Sequence, residues 1–337
     1  MHPILKKNIK LFTNNFISLF PENFLTRKYL HSHTVLMFHR VNPMFNFNNL
    51  DPNYSLGITP YLFDEIIKYL SENYNIVPID NILDLKLRKK DQIKLIITFD
   101  DGYKDNFDYA FPILKKYNVP AVVYISTRFI DGETWTWWYD LWKLISDSKQ
   151  LNINSNFIKN DFKLDSYNKK INCYKILSNI YRELDYESQL KLSEELFLNF
   201  NKNSNPNVFM SWSEIKQLAE SELMTIGAHT VNHLSLSNIS LEKSVFEIEK
   251  PKQILEKKIG LPVNHFAFPF GNSKDFSARE EAILEKVGFK SAVSTITTPQ
   301  KKLNLFSVPR LSIDNSSNIR NIKSKVNGME QMIRSIY

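Results

Sequence analysis

The 337-residue sequence has a single cysteine, Cys173, and its last histidine is His265. One cysteine excludes an internal disulfide, and it excludes a structural zinc site built from cysteine clusters. A metal site in this chain would therefore need histidine and carboxylate ligands. The hydrophobic fraction of 43% is nevertheless what a packed core requires in a globular chain of this length.

Long apolar runs and concentrated charge are also missing. No segment approaches the roughly 20 apolar residues of a membrane-spanning helix. The net charge of +7 is spread over short pairs such as Lys89-Lys90 and Lys257-Lys258, which is typical of a solvated surface. We therefore expect no nucleic-acid partner.

The N-terminal segment lacks the uninterrupted apolar core of a signal peptide, because Lys10, Asn14 and Asn15 break the stretch NIKLFTNNFISLF. A cytoplasmic location is therefore expected. The apolar residues of this segment fall at helical spacing and predict an amphipathic helix within residues 1–33. Its apolar face would either pack on the protein's own body or, through residues 1–20, lie on the inner surface of the membrane.

Apolar runs that predict strands alternate with helical patterns along most of the chain. The predicted strands are residues 34–39, 94–99, 121–126, 223–229, 265–270, 290–295 and 306–313. The clearest helical patterns cover residues 61–74, 211–222 and 241–260. This alternation predicts parallel strands joined by right-handed crossovers, in an open sheet or a barrel. About seven such units favour an incomplete (β/α)7 barrel over the eight-unit form.

The stretch from 135 to 210 interrupts this alternation. It opens with WTWWYDLW and continues through helical patterns rich in lysine and asparagine, so we expect a helical insertion. No linker and no second hydrophobic core marks a boundary, and residues 1–337 are therefore predicted to form one domain.

Two adjacent carboxylates, Asp100 and Asp101, follow the buried strand in LIITFDDGY (95–103). Neighbouring acids repel each other, and partial burial raises the cost of ionising both. A divalent cation nearby would offset that cost. The alternative is that the two aspartates cap a helix over residues 104–117, with Gly102 in the turn.

The histidines His229 and His233 lie four positions apart in AHTVNH, at the end of another predicted strand. This interval lets both imidazoles face one point, as in the H-E-x-x-H zinc sites. The three residues between them include no group that takes a proton from water, so a base must come from elsewhere. Two histidines and one aspartate make a three-ligand set for Zn²⁺, Co²⁺, Fe²⁺ or Ni²⁺, and the second aspartate is then free to act as the base.

Four motifs occur in the order found in one family: VLMFHRV (35–41), TFDDGY (98–103), IGAHTVNH (226–233) and FAFPFG (266–271). The sequence thereby resembles the NodB-type polysaccharide deacetylases, carbohydrate esterase family 4. The resemblance implies that Asp100 is the catalytic base and that Asp101, His229 and His233 hold a divalent metal, with zinc as the expected ion. The implied activity is removal of an N-acetyl group from an N-acetylated sugar of a surface glycan or its precursor.

Two positions depart from the family pattern. Ala267 stands where the family has an arginine that orients the base, and Arg310 in VPRLSI either replaces that arginine or is a structural residue. The family's histidine near the C-terminus, a general acid, is missing. His39 is the candidate replacement, expected to face the base across the substrate, and the alternative is a core histidine bonded to backbone. The other histidines considered are predicted to lie on the surface: His31, His33 and His265.

The resemblance also implies substrate contacts. Phe270 matches the residue whose backbone N–H helps stabilise the oxyanion, and Gly271 and Tyr103 complete the same motifs. The aromatic residues near the start of the insertion either wall a sugar subsite, with Trp138 as the predicted contact, or form the hydrophobic face of a helix. They are Trp135, Trp137, Trp138, Tyr139 and Trp142.

Two other functions remain open at the level of sequence. The same metal site could hydrolyse a different C–N bond, such as that of a cyclic amide. The two departures from the family pattern would also suit a carbohydrate-binding protein that has lost its activity.

Overall fold

The computed structural model describes residues 33–43, 51–83, 94–133, 135–197, 207–297, 300 and 303–326. The predicted amphipathic segment over residues 1–33, with its membrane contact through residues 1–20, lies outside this part except for His33, and it stays a prediction. No helix in the described part is long and apolar enough to cross a membrane.

The strands of the described residues are mostly short. In chain order they are β1 (His33–Phe38), β2 (Arg40–Val41), β3 (Gly57–Ile58), β4 (Asn75–Ile76), β5 (Lys94–Phe99), β6 (Ala121–Ile125), β7 (Gln150–Asn154), β8 (Lys159–Lys163), β9 (Met224–Ala228), β10 (His265–Ala267), β11 (Ser291–Val293) and β12 (Arg310–Ser312).

The helices lie between these strands. In chain order they are α1 (Pro60–Asn73), α2 (Phe111–Lys116), α3 (Thr127–Ile130), α4 (Trp137–Asp147), α5 (Tyr167–Glu183), α6 (Tyr186–Leu196), α7 (Trp212–Ala219), α8 (Leu241–Ile259), α9 (Ala278–Val287) and α10 (Ile319–Val326). Single 3₁₀ or π turns cover Pro52–Leu56, Ile79–Leu83, Asn106–Ala110 and Leu236–Asn238.

Seven parallel strands form a nearly closed barrel in the order β11-β10-β9-β6-β5-β1-β12. The two ends of this sheet approach each other where Val293 of β11 pairs with Val308, just before β12. Short β4 adds to the side of β5. The prediction of an incomplete (β/α)7 barrel is therefore confirmed.

Alternate residues of each barrel strand face the interior and the surrounding helices. The interior cluster is built largely from β-branched residues, with one alanine and one tyrosine. Its members on or next to the barrel strands are Val35, Ile96, Val122, Tyr124, Ala267, Val293 and Val308. The intervening strand residues pack under the helices in a larger cluster that includes Leu36, Phe38, Ile97, Phe99, Val123 and Ile125. The strands read as continuous apolar runs because both of their faces are buried.

Several helices begin and end where their sequence signals lie. Ser211 and Ser277 form capping boxes at the starts of α7 and α9. Ser240 caps α8, which ends at Gly260 with a φ of 74°. Because these ends are fixed locally, the loops that enter and leave the strands have little freedom.

The predicted helical insertion contains α4, α5 and α6, but residues 150–163 form the antiparallel β7–β8 hairpin. A helical pattern over this stretch was therefore the wrong prediction. Ile153 and Phe162 are the buried residues of the two strands, so only one face of the hairpin is buried. Strands this short and this polar carry a weak period-2 signal.

Candidate active site

The predicted site residues meet at one end of the barrel. His39 follows β1, the Asp100–Asp101 pair follows β5, His229 and His233 follow β9, and Phe270 follows β10. These are the carboxyl ends of parallel strands, where barrels of this class place their active sites.

The carboxylate of Asp101 faces both histidines. Its Oδ1 lies 3.3 Å from Nε2 of His229 and 3.2 Å from Nε2 of His233. One ligand atom from each of the three residues lies within 4.8 Å of the other two, and all three residues are buried. Burial opposes ionisation of Asp101, but the adjacent imidazoles of His233 and His229 outweigh this effect and hold its pKa well below the usual value.

Local contacts orient His229. Its Nδ1 lies 2.7 Å from the carbonyl oxygen of Ala267, so Nδ1 carries the proton and the lone pair of Nε2 is directed at Asp101. Ser126 donates from its Oγ to the carbonyl oxygen of His229. The imidazole thus presents a metal-ligating nitrogen in a fixed direction.

The residues present fit a divalent metal ion. Asp101 Oδ1 is fully buried and has no hydrogen-bond partner, which is costly for a carboxylate oxygen unless a cation satisfies it. Two imidazole nitrogens and one carboxylate oxygen are a donor set that zinc and similar ions accept, with open positions left for water and substrate. Among the described residues this is the cluster of histidine and carboxylate groups that could hold such an ion.

Arg310 contacts the second aspartate, Asp100. Its two terminal nitrogens donate to the two carboxylate oxygens, each at 2.7 Å. The side chain starts inside the barrel and is also held by Thr98 Oγ1 at 3.1 Å and by the carbonyl oxygen of Ser294 at 3.0 Å. Burial raises the pKa of Asp100, but Arg310 more than offsets this effect and the pKa is lowered overall.

Ala267 is fully buried in the barrel interior, where its small side chain leaves room for other residues. In the structure Arg310 reaches Asp100 from β12, while the position at which the family has an arginine, Ala267, lies on β10. Whether this pair orients the base during catalysis stays a prediction.

His39 lies beside Asp100, with 3.8 Å between its Nε2 and Asp100 Oδ2, and its side chain is 17% exposed. This separation exceeds a hydrogen bond and is closer than an acid facing the base across the substrate would imply. The reason is that β1 and β5 are neighbouring strands. The helix after the DD pair fixes the backbone here: Asn106 donates to the carbonyl oxygen of His39, and Asp105 accepts from the backbone N–H of Val41.

Phe270 has a left-handed backbone, with φ of 58°. Its carbonyl oxygen accepts from Thr295 Oγ1 at 2.6 Å, and Gly271 follows with φ of 63°. A Cβ at Gly271 would lie 2.9 Å from both the carbonyl oxygen of Phe268 and the backbone nitrogen of Thr295, so only glycine fits. This turn brings the Phe270 ring to 5.0 Å from the ring of His233.

Strained backbone is concentrated at this site. Among the described non-glycine residues with positive φ, four belong to it: Asp101, Thr230, His233 and Phe270. Such conformations cost about 1–3 kcal/mol each and persist where the surrounding structure enforces them for a purpose.

The family model described as polysaccharide deacetylase matches residues 88–156 and 164–292, more than half of the chain. The chain belongs to the polysaccharide deacetylase family. The Bacillus subtilis (strain 168) protein named "Putative polysaccharide deacetylase YxkH" is 34% identical over 91 residues, which are 26% of this chain and 33% of that protein. The aligned part thus spans about a third of this relative.

Solved deacetylase structures have the same fold. The Streptococcus pyogenes deacetylase PplD in complex with acetate has a TM-score of 0.58 at 18% identity, covering 87% of this chain and 97% of that one. IcaB from Ammonifex degensii has a TM-score of 0.55 at 16% identity, covering 90% and 98%. The de-N-acetylase from Aggregatibacter actinomycetemcomitans has a TM-score of 0.53 at 18% identity, covering 87% and 99%.

In this polysaccharide deacetylase chain the insertion forms one wall of the site. Trp138 of α4 is buried, and its ring centroid lies 5.4 Å from that of His233. Trp137 stacks on Tyr181 of α5 at 4.9 Å. Trp137 and Trp138 therefore belong to the buried face of α4, and Trp138 also borders His233, one of the candidate metal ligands.

Tyr103 is buried more deeply than a substrate contact would be. Its ring is inaccessible to solvent, stacks on Phe209 at 5.0 Å and is covered by the guanidinium of Arg40 at 4.8 Å. This position gives no support to the prediction that Tyr103 touches the substrate; the residue packs the base of the site.

The prediction that His265 lies on the surface is wrong. It is 1% exposed, and its two ring nitrogens lie 2.8 Å from Ser291 Oγ and 3.2 Å from Asp80 Oδ1. His265 begins β10 at the end of the barrel remote from the metal-binding residues, where neighbouring strands enclose it. His31 lies outside the described residues.

The sequence reasoning missed polar residues that support the site from behind. Asp105 and Asn106 hold the backbone around His39, and Glu247 of α8 holds the loop between the two histidines. The sequence does contain a signal for Asp105 and Asn106, because these polar residues follow Asp100 and Asp101 within about one helical turn. Glu247 gave none, because its partners are 15 and 16 residues away.

Proposed function

We propose that this protein is a metal-dependent hydrolase that removes the N-acetyl group from an N-acetylated sugar of a surface glycan or its precursor. The observation that carries the proposal is the position of Asp101 Oδ1, which lies 3.2 to 3.3 Å from two imidazole nitrogens. The neighbouring Asp100 does not belong to this cluster of candidate metal ligands. Membership of the polysaccharide deacetylase family supports the same chemistry.

The metal would be held by Asp101, His229 and His233, with zinc expected and Co²⁺, Fe²⁺ or Ni²⁺ compatible with the same donors. When bound there, a divalent ion would polarise the acetyl carbonyl and lower the pKa of a water molecule.

Asp100 acts as the general base. Its carboxylate is adjacent to the metal-binding cluster, and the two bonds from Arg310 keep it ionised and fix its plane. It takes a proton from water as the water oxygen attacks the acetyl carbon. The backbone N–H of Phe270 has no acceptor among the described residues and is available to donate to the oxygen that gains negative charge.

His39 protonates the departing nitrogen. The C–N bond breaks only if the nitrogen leaves as an amine, because an amide anion is too basic to depart. His39 Nε2 lies 3.8 Å from Asp100 Oδ2, which is too far for a direct hydrogen bond, so the acid and the base approach the substrate side by side. The products are acetate and a free amino sugar; Asp100 then releases its proton to solvent and His39 takes one up, which restores both groups.

The test is to assay purified protein with N-acetylglucosamine oligomers of increasing length, measuring acetate and free amine in the same samples. The protein is stripped with a chelator and then reloaded with Zn²⁺, Co²⁺, Fe²⁺ or Ni²⁺. Asp100→Asn serves as the matched blank, expected to bind metal but to lose at least about 10²-fold in turnover. Equimolar acetate and amine that depend on metal would support the proposal.

Two outcomes would contradict it. Turnover of cyclic amides, with none of the N-acetyl sugars, would assign the site to another C–N bond. Saturable sugar binding without acetate release from any metal-loaded form would indicate an inactive carbohydrate-binding protein.

A further inference from the structure

Glu247 is a buried acid that forms no salt bridge with another of the described residues. It lies on α8, is 2% exposed, and directs its carboxylate at the loop between His229 and His233. The backbone N–H groups of Val231 and Asn232 donate to it at 2.9 and 2.8 Å, and the side-chain amide of Asn232 donates as well. One carboxylate thus binds both residues at the centre of the loop.

The loop needs an external support because its own conformation is strained. Thr230 and His233 both have left-handed backbones, with φ of 64° and 56°. Within the loop, the backbone N–H of His233 donates to Thr230 Oγ1 at 2.8 Å. Left-handed non-glycine residues are held only where the surroundings enforce them.

The opposite side of the loop is held by α3. The backbone N–H groups of Thr127 and Arg128 donate to the carbonyl oxygens of Thr230 and Val231, at 3.3 and 3.2 Å. Glu247 therefore completes a clamp in which the loop's N–H groups face α8 and its carbonyl groups face α3. Without the carboxylate, the N–H groups of the half-buried residues Val231 and Asn232 would lose the acceptor that they share.

A buried carboxylate at this position has a high desolvation cost. Burial raises the pKa of Glu247 in spite of the hydrogen bonds from Asn232 and Val231, and apolar residues fill such interior space at a lower cost. The acid is explained by its two oxygens, because Oε2 accepts from both adjacent backbone N–H groups and Oε1 accepts from the side-chain amide of Asn232.

We propose that Glu247 is a positioning residue that fixes the loop carrying His229 and His233, and that it thereby sets the metal affinity of the site. This inference rests on the proposed metal-dependent function. Residues that orient metal ligands typically change metal affinity by about 10- to 100-fold when they are replaced.

Glu280 of α9 provides a matched control. It is also an inaccessible glutamate, and its carboxylate accepts from the backbone N–H and hydroxyl of Ser277 and from Ser244 Oγ. It contacts no residue of the histidine loop. Replacing either glutamate by leucine removes the acceptor atoms at a similar side-chain size, so the two variants share any general cost of losing a buried carboxylate.

The experiment compares wild type, Glu247→Leu and Glu280→Leu. The dissociation constant for Zn²⁺ is measured by competition with a chromogenic chelator, the melting temperature is measured without metal, and the visible absorption spectrum is recorded with Co²⁺. In Glu247→Leu no side-chain atom accepts from the N–H groups of Val231 and Asn232, so the loop that carries the histidines loses its support from α8. Asn232→Ala keeps both backbone bonds to Glu247 and tests the side-chain bond alone.

We expect Glu247→Leu to weaken Zn²⁺ binding at least about tenfold and to alter the Co²⁺ spectrum. Glu280→Leu should keep wild-type affinity and spectrum even if its melting temperature falls as much. Asn232→Ala should have a smaller effect than Glu247→Leu. Wild-type affinity in Glu247→Leu, or an equal loss in Glu280→Leu, would overturn the role of Glu247. A wild-type protein that binds no metal would instead overturn the metal centre itself.

Discussion

Arg310 and Asp100 form a buried pair with two bonds of 2.7 Å, although they are 210 positions apart in the chain. Neither side chain is accessible to solvent by more than 3%. The arginine approaches from β12, while the small Ala267 occupies the strand position at which an arginine was expected. A guanidinium therefore reaches this aspartate from β12.

This geometry predicts that Arg310→Lys folds but loses activity. Lysine keeps the charge, but it cannot reproduce the planar fork that fixes the carboxylate. Because a misplacement of 1 Å costs up to about 10²-fold, we expect kcat to fall at least about tenfold with little change in KM. Arg310→Ala should also unfold more easily, by about 3–5 kcal/mol, because Asp100 would be left buried without its partner.

The double variant Ala267→Arg/Arg310→Ala tests whether the direction of approach matters. If only a guanidinium on Asp100 is needed, the double variant should recover part of the kcat that Arg310→Ala loses. Steady-state kinetics and urea unfolding are measured on wild type, Arg310→Ala and the double variant. An Arg310→Lys enzyme with normal kcat would show that the pair is purely structural.

The parts of the fold and site that could be predicted are those encoded locally. The strand that ends in Asp100 and Asp101, and the interval between His229 and His233, are each visible within ten residues. Strand ends of a parallel barrel converge, so the assembly of these four residues followed from the fold. The (β/α)7 architecture followed from the alternation of apolar runs and helical patterns.

The parts that could not be predicted depend on contacts across the barrel. Whether Arg310 is structural or touches Asp100 is decided only by the register of β12 on β1, where Arg310 pairs with Val35. His265 is a polar residue at a strand start, and only the fold brings its two partners, Ser291 and Asp80, to its ring nitrogens. Such pairings leave no periodic signal in the sequence.

A second prediction concerns the metal ligands. His233→Ala should lose most of the bound metal and the activity, because a ligand set of three cannot spare an imidazole. Elemental analysis of the purified protein measures the metal directly. His265→Ala removes a histidine that is equally buried but remote from the site, and it should keep its metal while losing some stability. Stoichiometric metal in His233→Ala would refute the assigned ligands.

A third prediction concerns the single thiol. Cys173 on α5 is inaccessible, and burial raises its pKa from 9.0 to about 12. The native thiol should therefore stay protonated at pH 8 and react with an aromatic disulfide only as fast as the protein unfolds. Denatured protein should titrate one thiol at once.

The raised pKa of Cys173 also makes the free energy of unfolding depend on pH. Between about pH 9 and pH 12 the unfolded chain loses this proton while the native protein keeps it, so this group's contribution to stability falls as the pH rises through that range. Urea unfolding at pH 8 and pH 10, with Cys173→Ala as the reference, measures it. Rapid labelling of native protein at pH 8 would show that the thiol is exposed.

The last prediction concerns His39, whose Nε2 lies 3.8 Å from Asp100 and whose side chain is partly exposed at the mouth of the barrel. If His39 delivers the proton to the departing nitrogen, His39→Ala should keep its metal and its melting temperature but lose most N-deacetylation. An acetyl ester with a good leaving group can depart without a proton, so its hydrolysis should fall much less. Both substrates are assayed across pH on wild type, His39→Ala and Asp100→Asn, because the loss of the base should impair amide and ester alike. An equal loss on the two substrates in His39→Ala would show that the histidine acts through Asp100 and not on the leaving group, and an undiminished amide rate would remove it from the reaction.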